Sequence, residues 1–224
     1  MRLGDLTWPE VDRHGRGRVL VVPLGATEQH GPHLPIDTDT RIACALAERL
    51  AERRDDVVIA PPIPYGSSGE HAEFPGTLSI GQEALELVIV ELVRSADHFD
   101  GVVLLSGHGG NAEALSRAVS RLLSEGRNVL AWFPAVPGGD AHAGHVETSI
   151  LLALDAGAVD MAEARAGARE SLQDLMDRLR SSGVRSVSPD GVLGDPTTAT
   201  PAEGERLLEE LTRALVEAVR RWRP

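Results

Sequence analysis

Lysine is missing from this 224-residue chain; all 22 basic side chains are arginine. That absence excludes covalent chemistry through a Schiff-base lysine. Cys44 is the only cysteine, which excludes an intramolecular disulfide and any zinc site built on cysteine. It lies in "RIACALAERL", a helical pattern rich in Ala and Leu, and reads as a small core residue rather than a nucleophile. Positive charge is sparse: 34 acidic against 22 basic residues give a net charge of −12, with no basic block. Nucleic acid and anionic membrane surfaces both need clustered positive charge, so neither is an expected partner. No apolar run approaches membrane-span length, and the N-terminal "MRLGDLTWPEVDRHG" has no apolar signal core. The expected location is therefore the cytoplasm.

What is present is ordinary globular material, 42% hydrophobic and 25% charged, in a length that suits one domain over residues 1–224. Short apolar runs alternate with helical patterns. Strands are expected over 17–25, 56–62, 101–110 and 128–134. Helices are expected over 39–53, 81–99, 111–126, 147–157, 168–183 and 200–222, with Asn111 as an N-cap and Gly126 as a stop. The order β-α-β-α-β-α-β-α predicts an α/β fold of three layers, α/β/α, around a mostly parallel sheet covered on both faces. In such sheets ligands bind beyond the carboxyl ends of the strands. The four segments that follow the strands are "PLGATEQHGPHLPIDTDT", "YGSSGEHAEFPGT", "GHGGN" and "PGGDAHAGHVETS". They hold most of the histidines and all the His–acid clusters.

Nitrogen and carboxylate donors without cysteine suit Zn, Mn or Fe(II). Glu28 and His30, two residues apart, share a face in an extended segment. Asp39 opens the next helix, where a carboxylate is placed to bridge two metals. His108 sits between glycines at a strand end, and "HAGHVETS" adds His142, His145 and Glu147. His33 and Asp37 either orient a ligand side chain or cap a turn. Tyr65, the single tyrosine, either stacks on an aromatic ligand or packs at the base of a loop. The amides near Gly109 and Gly110 lie at a helix N-terminus suited to an anionic group. Arginines are expected to read a substrate carboxylate. The segment 184–200, with "GDPTTAT", is either a lid or wall of the site or a link to the last helix. These residues on their own indicate a metal-assisted hydrolase with one or two metals. A flavodoxin-like binding domain is the reading of a different class.

In combination, "PLGATEQHGPHLPIDTD", "YGSSGEHAEFPGT", "SGHGGN" and "HAGHVETS" resemble the creatininase family of amidohydrolases, in order from about residue 18 to 155. The resemblance implies a parallel sheet between helix layers, hydrolysis of cyclic or linear amides with two divalent metals, and assembly as a homo-oligomer, commonly a hexamer. It assigns Glu28, His30, Asp39 (bridging), His108 and Glu147 as metal ligands and His142 as the acid/base. One departure stands out: where creatininase has a metal-binding Glu two residues after the "GH" histidine, this chain has Gly110. That makes creatinine a poor substrate and Glu147 the replacement carboxylate. The segments "YGSSGEH", "PGGDAHAGHVETS" and "GVLGDPTTATPAEG" (191–204) are further similar to a peptidase branch of the family. That similarity implies Fe(II) and Zn(II) as metals. It also implies removal of a C-terminal dipeptide from a radical-modified precursor peptide, releasing a small heterocycle. A deformylase acting on a small formamide is the alternative within the family.

Overall fold

Apolar residues on both faces of a strand demand cover on both sides, and that demand organises the chain. In the computed structural model, which describes residues 1–222, four strands form one sheet. They are β1 (Val19–Leu24), β2 (Val57–Ile59), β3 (Gly101–Ser106) and β4 (Val129–Trp132), in the order β2-β1-β3-β4 with every pairing parallel. Positions 223 and 224 of the expected domain lie outside the described residues.

Around the sheet run α1 (Trp8–His14), α2 (Thr38–Arg53), α3 (Gly81–Arg94), α4 (Ala112–Ser124), α5 (His145–Asp155), α6 (Leu172–Ser182) and α7 (Pro201–Trp222). Side chains alternate between the two faces of each strand. Val19, Val21, Val57, Val103 and Leu105 meet Leu46 and Leu50 of α2, Ile150 and Leu151 of α5, and Leu208 and Leu215 of α7. Leu20, Val22, Val58, Val102 and Leu104 meet Leu85 and Ile89 of α3 and Leu115 and Leu122 of α4. The three-layer α/β/α arrangement expected from the sequence is the one found. Outside these layers, α6 packs Leu175 and Leu179 against Val184 and Leu193.

The differences from expectation have local causes. The second strand stops at Ile59 instead of reaching 62, because Pro61 and Pro62 have no N–H to continue a ladder. The third strand ends at Ser106, short of 110. The helix expected over 81–99 ends at Arg94, and that over 168–183 begins at Leu172. Helix α1 was not expected, although "TWPE" carries its start signal. The Thr7 N–H donates to Glu10 Oε2 at 2.8 Å in a capping box.

The chain leaves β1 toward β2 on one side, while β3 lies on the other. Loops after β1 and β3 therefore diverge and open a crevice. The first turn of α2 is planted in it. Gly25 and Gly107, which follow β1 and β3, leave no room for a Cβ: one would lie 2.5 Å from Thr40 N and the other 2.4 Å from the Asp39 carbonyl oxygen. Asp39 is thereby held at the carboxyl end of the sheet. Gly107→Ala is expected to lower stability in chemical denaturation by about 1–3 kcal/mol, as overpacking does. An unchanged midpoint would mean that this contact does not hold α2.

Candidate active site

Four rim segments supply the site. The loop after β1 brings Glu28, Gln29 and His30, and α2 brings Asp39. A short turn over Gly69–His71 brings His71. The segment after β3 brings His108, whose N–H is held by Ser106 Oγ at 3.3 Å. The approach to α5 brings His142 and, in its first turn, Glu147. Between those two, Ala143 is fully buried with φ 50°, a left-handed conformation rare outside glycine. Its N–H donates to Glu147 Oε2 at 2.6 Å. Asp140 accepts backbone N–H bonds from His145 and Val146, fastening the start of α5.

The donors fall into three trios, in each of which the ligand atoms lie within 4.8 Å of one another: Glu28, Asp39 and His108; His30, Asp39 and Glu147; and Glu28, His30 and His142. The first two share Asp39. Asp39 faces both ways. Its Oδ1 lies 3.1 Å from His30 Nε2 and its Oδ2 3.3 Å from His108 Nδ1. The outer nitrogens of both histidines are already committed. His108 Nε2 donates to the Ser67 carbonyl at 2.9 Å, and His30 Nδ1 to the Glu28 carbonyl at 3.2 Å. Each ring therefore presents its other nitrogen to the carboxylates, the arrangement that outer hydrogen bonds impose on metal-binding histidines.

Glu28 is fully buried, and its Oε1 lies 3.3 Å from His71 Nε2, 3.3 Å from His108 Nδ1 and 3.8 Å from His142 Nδ1. None of these contacts is aligned as a hydrogen bond: both Glu28 oxygens and Asp39 Oδ2 are buried without a partner. Orphaned anionic oxygens at this depth carry a heavy desolvation cost. A divalent cation would satisfy all three, so the residues present fit a metal.

Titration behaviour points the same way. Burial pushes the Glu28 carboxyl up, but His108 overrides it and holds it at about 2. Asp39 is likewise held well below the usual range by His30 and His108 against its burial. Burial lowers His30, yet Asp39 raises it to about 10, and His108 also lies well above its ordinary value through Glu28 and Asp39. Protons on these two imidazoles stand in for cation charge. His71 and His142 behave oppositely. Burial drives His71 down to about 4, and burial together with His30 drives His142 well below its ordinary value. Burial lifts Glu147 to about 7.

Expected site residues thus divide. Glu28, His30, Asp39, His108, His142 and Glu147 come together. His33 is buried one step out, with Nε2 2.9 Å from Thr148 Oγ1 of α5. Asn111 occupies the N-cap position of α4 but makes no cap bond. Its side chain instead accepts from Ser67 N–H at 2.9 Å and donates to the Gly25 carbonyl at 3.1 Å, tying three rim segments together. Gly109 lines the cavity. At Gly110 a Cβ would lie 2.3 Å from His108 Nε2 and 2.6 Å from Glu70 Oε1, so no side chain fits there. Asp37 stands outside the cluster, 45% exposed and paired with Arg41 at 2.8 Å. Tyr65 is 45% exposed. The 191–194 segment packs behind His142: Val192 and Leu193 are buried, and Leu193 N–H donates to the His142 carbonyl at 2.8 Å. Sequence reasoning missed Gln29, His71, Glu70 and Asp140. Gln29 and His71 lie inside the motifs "TEQHG" and "GSSGEH", but no local spacing signals their pairing.

The cavity over the cluster has a volume of about 190 Å³ and is lined by Asp39, His108, Asp140, His142 and Glu147, with Pro134, Val136 and Val146 as apolar walls. No arginine lines it among the described residues, so the expected arginine recognition of a substrate carboxylate has no support in this cavity. A larger groove of about 440 Å³ between α4 and β4 contains no titratable side chain. The catalytic arrangement is therefore confined to the smaller one.

Residues 4–219 match the family model described as "Creatininase: Creatinine amidohydrolase". The mycofactocin precursor peptide peptidase of Mycolicibacterium smegmatis is 51% identical over 218 residues, covering 94% of this chain and 88% of that protein. Among solved structures, a mutant creatininase of Zn–Zn type superposes with TM-score 0.82 at 26% identity, covering 100% of this chain and 98% of that one. A structure named "Creatininase Mn" gives TM-score 0.82 at 27% identity, covering 100% and 99%. The parallel sheet, the motifs on its carboxyl rim and these matches agree: the chain belongs to the creatininase family.

Proposed function

We propose that this chain is a dinuclear metal-dependent peptidase. It cleaves the C-terminal dipeptide from the radical-modified mycofactocin precursor peptide and releases the heterocyclic cofactor precursor. The substrate assignment is supported by 51% identity to the mycobacterial peptidase of that name. The chemistry rests on one observation: two donor trios share the buried Asp39 beside a buried histidine held neutral.

Glu28, Asp39 and His108 would hold one divalent ion, and His30, Asp39 and Glu147 the other. Fe(II) and Zn(II) are the proposed pair, and Mn(II) also suits these donors. Bound there, two such ions supply Lewis acidity toward the amide oxygen and bring the pKa of water toward neutrality. Asp39, common to both trios, would contribute to both positions, and it is held in place because α2 is wedged against Gly25 and Gly107. His142 donates from Nε2 to the Gln29 carbonyl at 2.8 Å, which leaves the Nδ1 lone pair facing the site. As a neutral imidazole it accepts a proton there and returns it to the departing amine. Pro134, Val136 and Val146 keep bulk water from the reacting atoms.

Mass spectrometry of the modified precursor peptide incubated with the protein tests this reading. Loss of a dipeptide-sized C-terminal fragment is expected with Fe(II) and Zn(II) and is abolished by chelator. Asp39→Ala should lose metal and cleavage together, while His142→Ala should keep its metal and lose about 10²–10⁴-fold in turnover. A fully active Asp39→Ala would contradict the dinuclear reading. No cleavage by metal-loaded protein would move the substrate to another amide.

Metal uptake should also release protons. His30 is raised to about 10 in the metal-free protein and so is protonated at pH 7, and His108 is shifted in the same direction. Each must give up its proton to coordinate. Adding Zn(II) to metal-free protein in weak buffer should therefore acidify the solution by at least one proton per chain. Metal uptake without proton release would place the ions elsewhere.

A further inference from the structure

Five histidine rings or carboxylates crowd Glu28 and Asp39, yet His71 belongs to none of the donor trios. It is 4% exposed, and its Nε2 lies 3.3 Å from Glu28 Oε1, close enough to compete for a metal. What distinguishes it is the group behind it. Gln29 is 6% exposed, and its Nε2 lies 2.9 Å from His71 Nδ1. The orientation of that amide is settled by its other partners. Its Oε1 accepts from the Gly31 N–H at 2.8 Å, and its Nε2 donates to the Gly191 carbonyl at 3.2 Å. Turning the amide over would set donor against donor at Gly31 and acceptor against acceptor at Gly191.

The two amide hydrogens are then assigned. One goes to Gly191 and the other to His71 Nδ1. The nearby His142 Nε2, 3.0 Å from Gln29 Nε2, takes neither, because it already carries a hydrogen donated to the Gln29 carbonyl at 2.8 Å. An Nδ1 that accepts a hydrogen bond in a neutral imidazole leaves the ring proton on Nε2. The His71 nitrogen 3.3 Å from Glu28 Oε1 therefore carries a hydrogen and has no lone pair for a metal. The wall fixes Gln29 in turn: Gly191 has φ +86°, and a Cβ there would lie 1.9 Å from Gln29 Oε1.

We propose that Gln29 is a positioning residue that locks His71 as its Nε2–H tautomer, so that the ring sets an N–H, and not a metal-binding lone pair, beside Glu28. This rests on the metal site proposed above, but its test does not depend on the substrate. Long-range ¹H–¹⁵N correlation spectra of the zinc-loaded, histidine-labelled protein report which ring nitrogen carries the proton, with the His71 signals assigned by their loss in His71→Asn. The expected result is His71 protonated at Nε2 and bare at Nδ1. Gln29→Glu replaces the donor by an acceptor of the same shape and should move the His71 proton to Nδ1. Gln29→Met removes the donor without adding charge; it should give a mixture of tautomers and weaken zinc binding about 10- to 100-fold. A wild-type His71 protonated at Nδ1 would overturn the proposal whether or not either variant folds. So would folded variants whose His71 tautomer is unchanged. Failure of the protein to cleave the peptide, with the tautomer as expected, would overturn the substrate assignment and leave the role of Gln29 standing.

Discussion

A carboxylate taken out of water must face positive charge, and here three of them face one another. Glu28 and Asp39 are buried, and Glu147 joins them from the first turn of α5. Burial alone would drive all three toward the neutral acid. Only Glu147 moves that way, to about 7, while Glu28 stays ionised because His108 and its neighbours hold it at about 2. The site is a cage of negative charge whose balance depends on cations, supplied by protons on His30 and His108 or by metal ions. Much else in the rim can be understood as support for that cage.

The support is mainly steric. Gly25 and Gly107 let the first turn of α2 sit against the ends of β1 and β3, which puts Asp39 at the junction of the two donor trios that share it. Gly144 and Gly194 both crowd the Asp140 carboxylate, which fastens the start of α5 and so the base of Glu147. Ala143 is held in a left-handed conformation at the one place where His142 and Glu147 must both turn inward. Strained backbone of this kind persists where the surroundings over-determine it. Asn111 and Gln29 are the polar counterparts, each satisfying several backbone groups from different segments with one amide.

How much of this was legible in the sequence depended on range. The layers were legible, because the apolar runs 19–24 and 101–106 cannot be anything but strands covered on both faces. The donors Glu28, His30, Asp39, His108 and Glu147 were legible as a rim cluster, because the parallel topology sends every strand end to one edge. What stayed hidden was contact geometry. Asp37 has the same chemistry as Asp39 two residues away, yet it points outward to Arg41. Asn111 had the right type for a cap, but two backbone groups and the Ser106 hydroxyl, all outside the helix, outcompete the cap bond. Gln29 and His71 matter through a neighbour 42 residues distant in the chain, and no local pattern signals such a pairing.

Asp39 is proposed to serve both metal positions at once. Anomalous diffraction from crystals of the protein loaded with Zn(II) tests it most directly. Two peaks per chain are predicted, one on each side of the Asp39 carboxylate: the first beside Glu28 and His108, the second beside His30 and Glu147. A single peak, or peaks that leave Asp39 uncoordinated, would contradict the account.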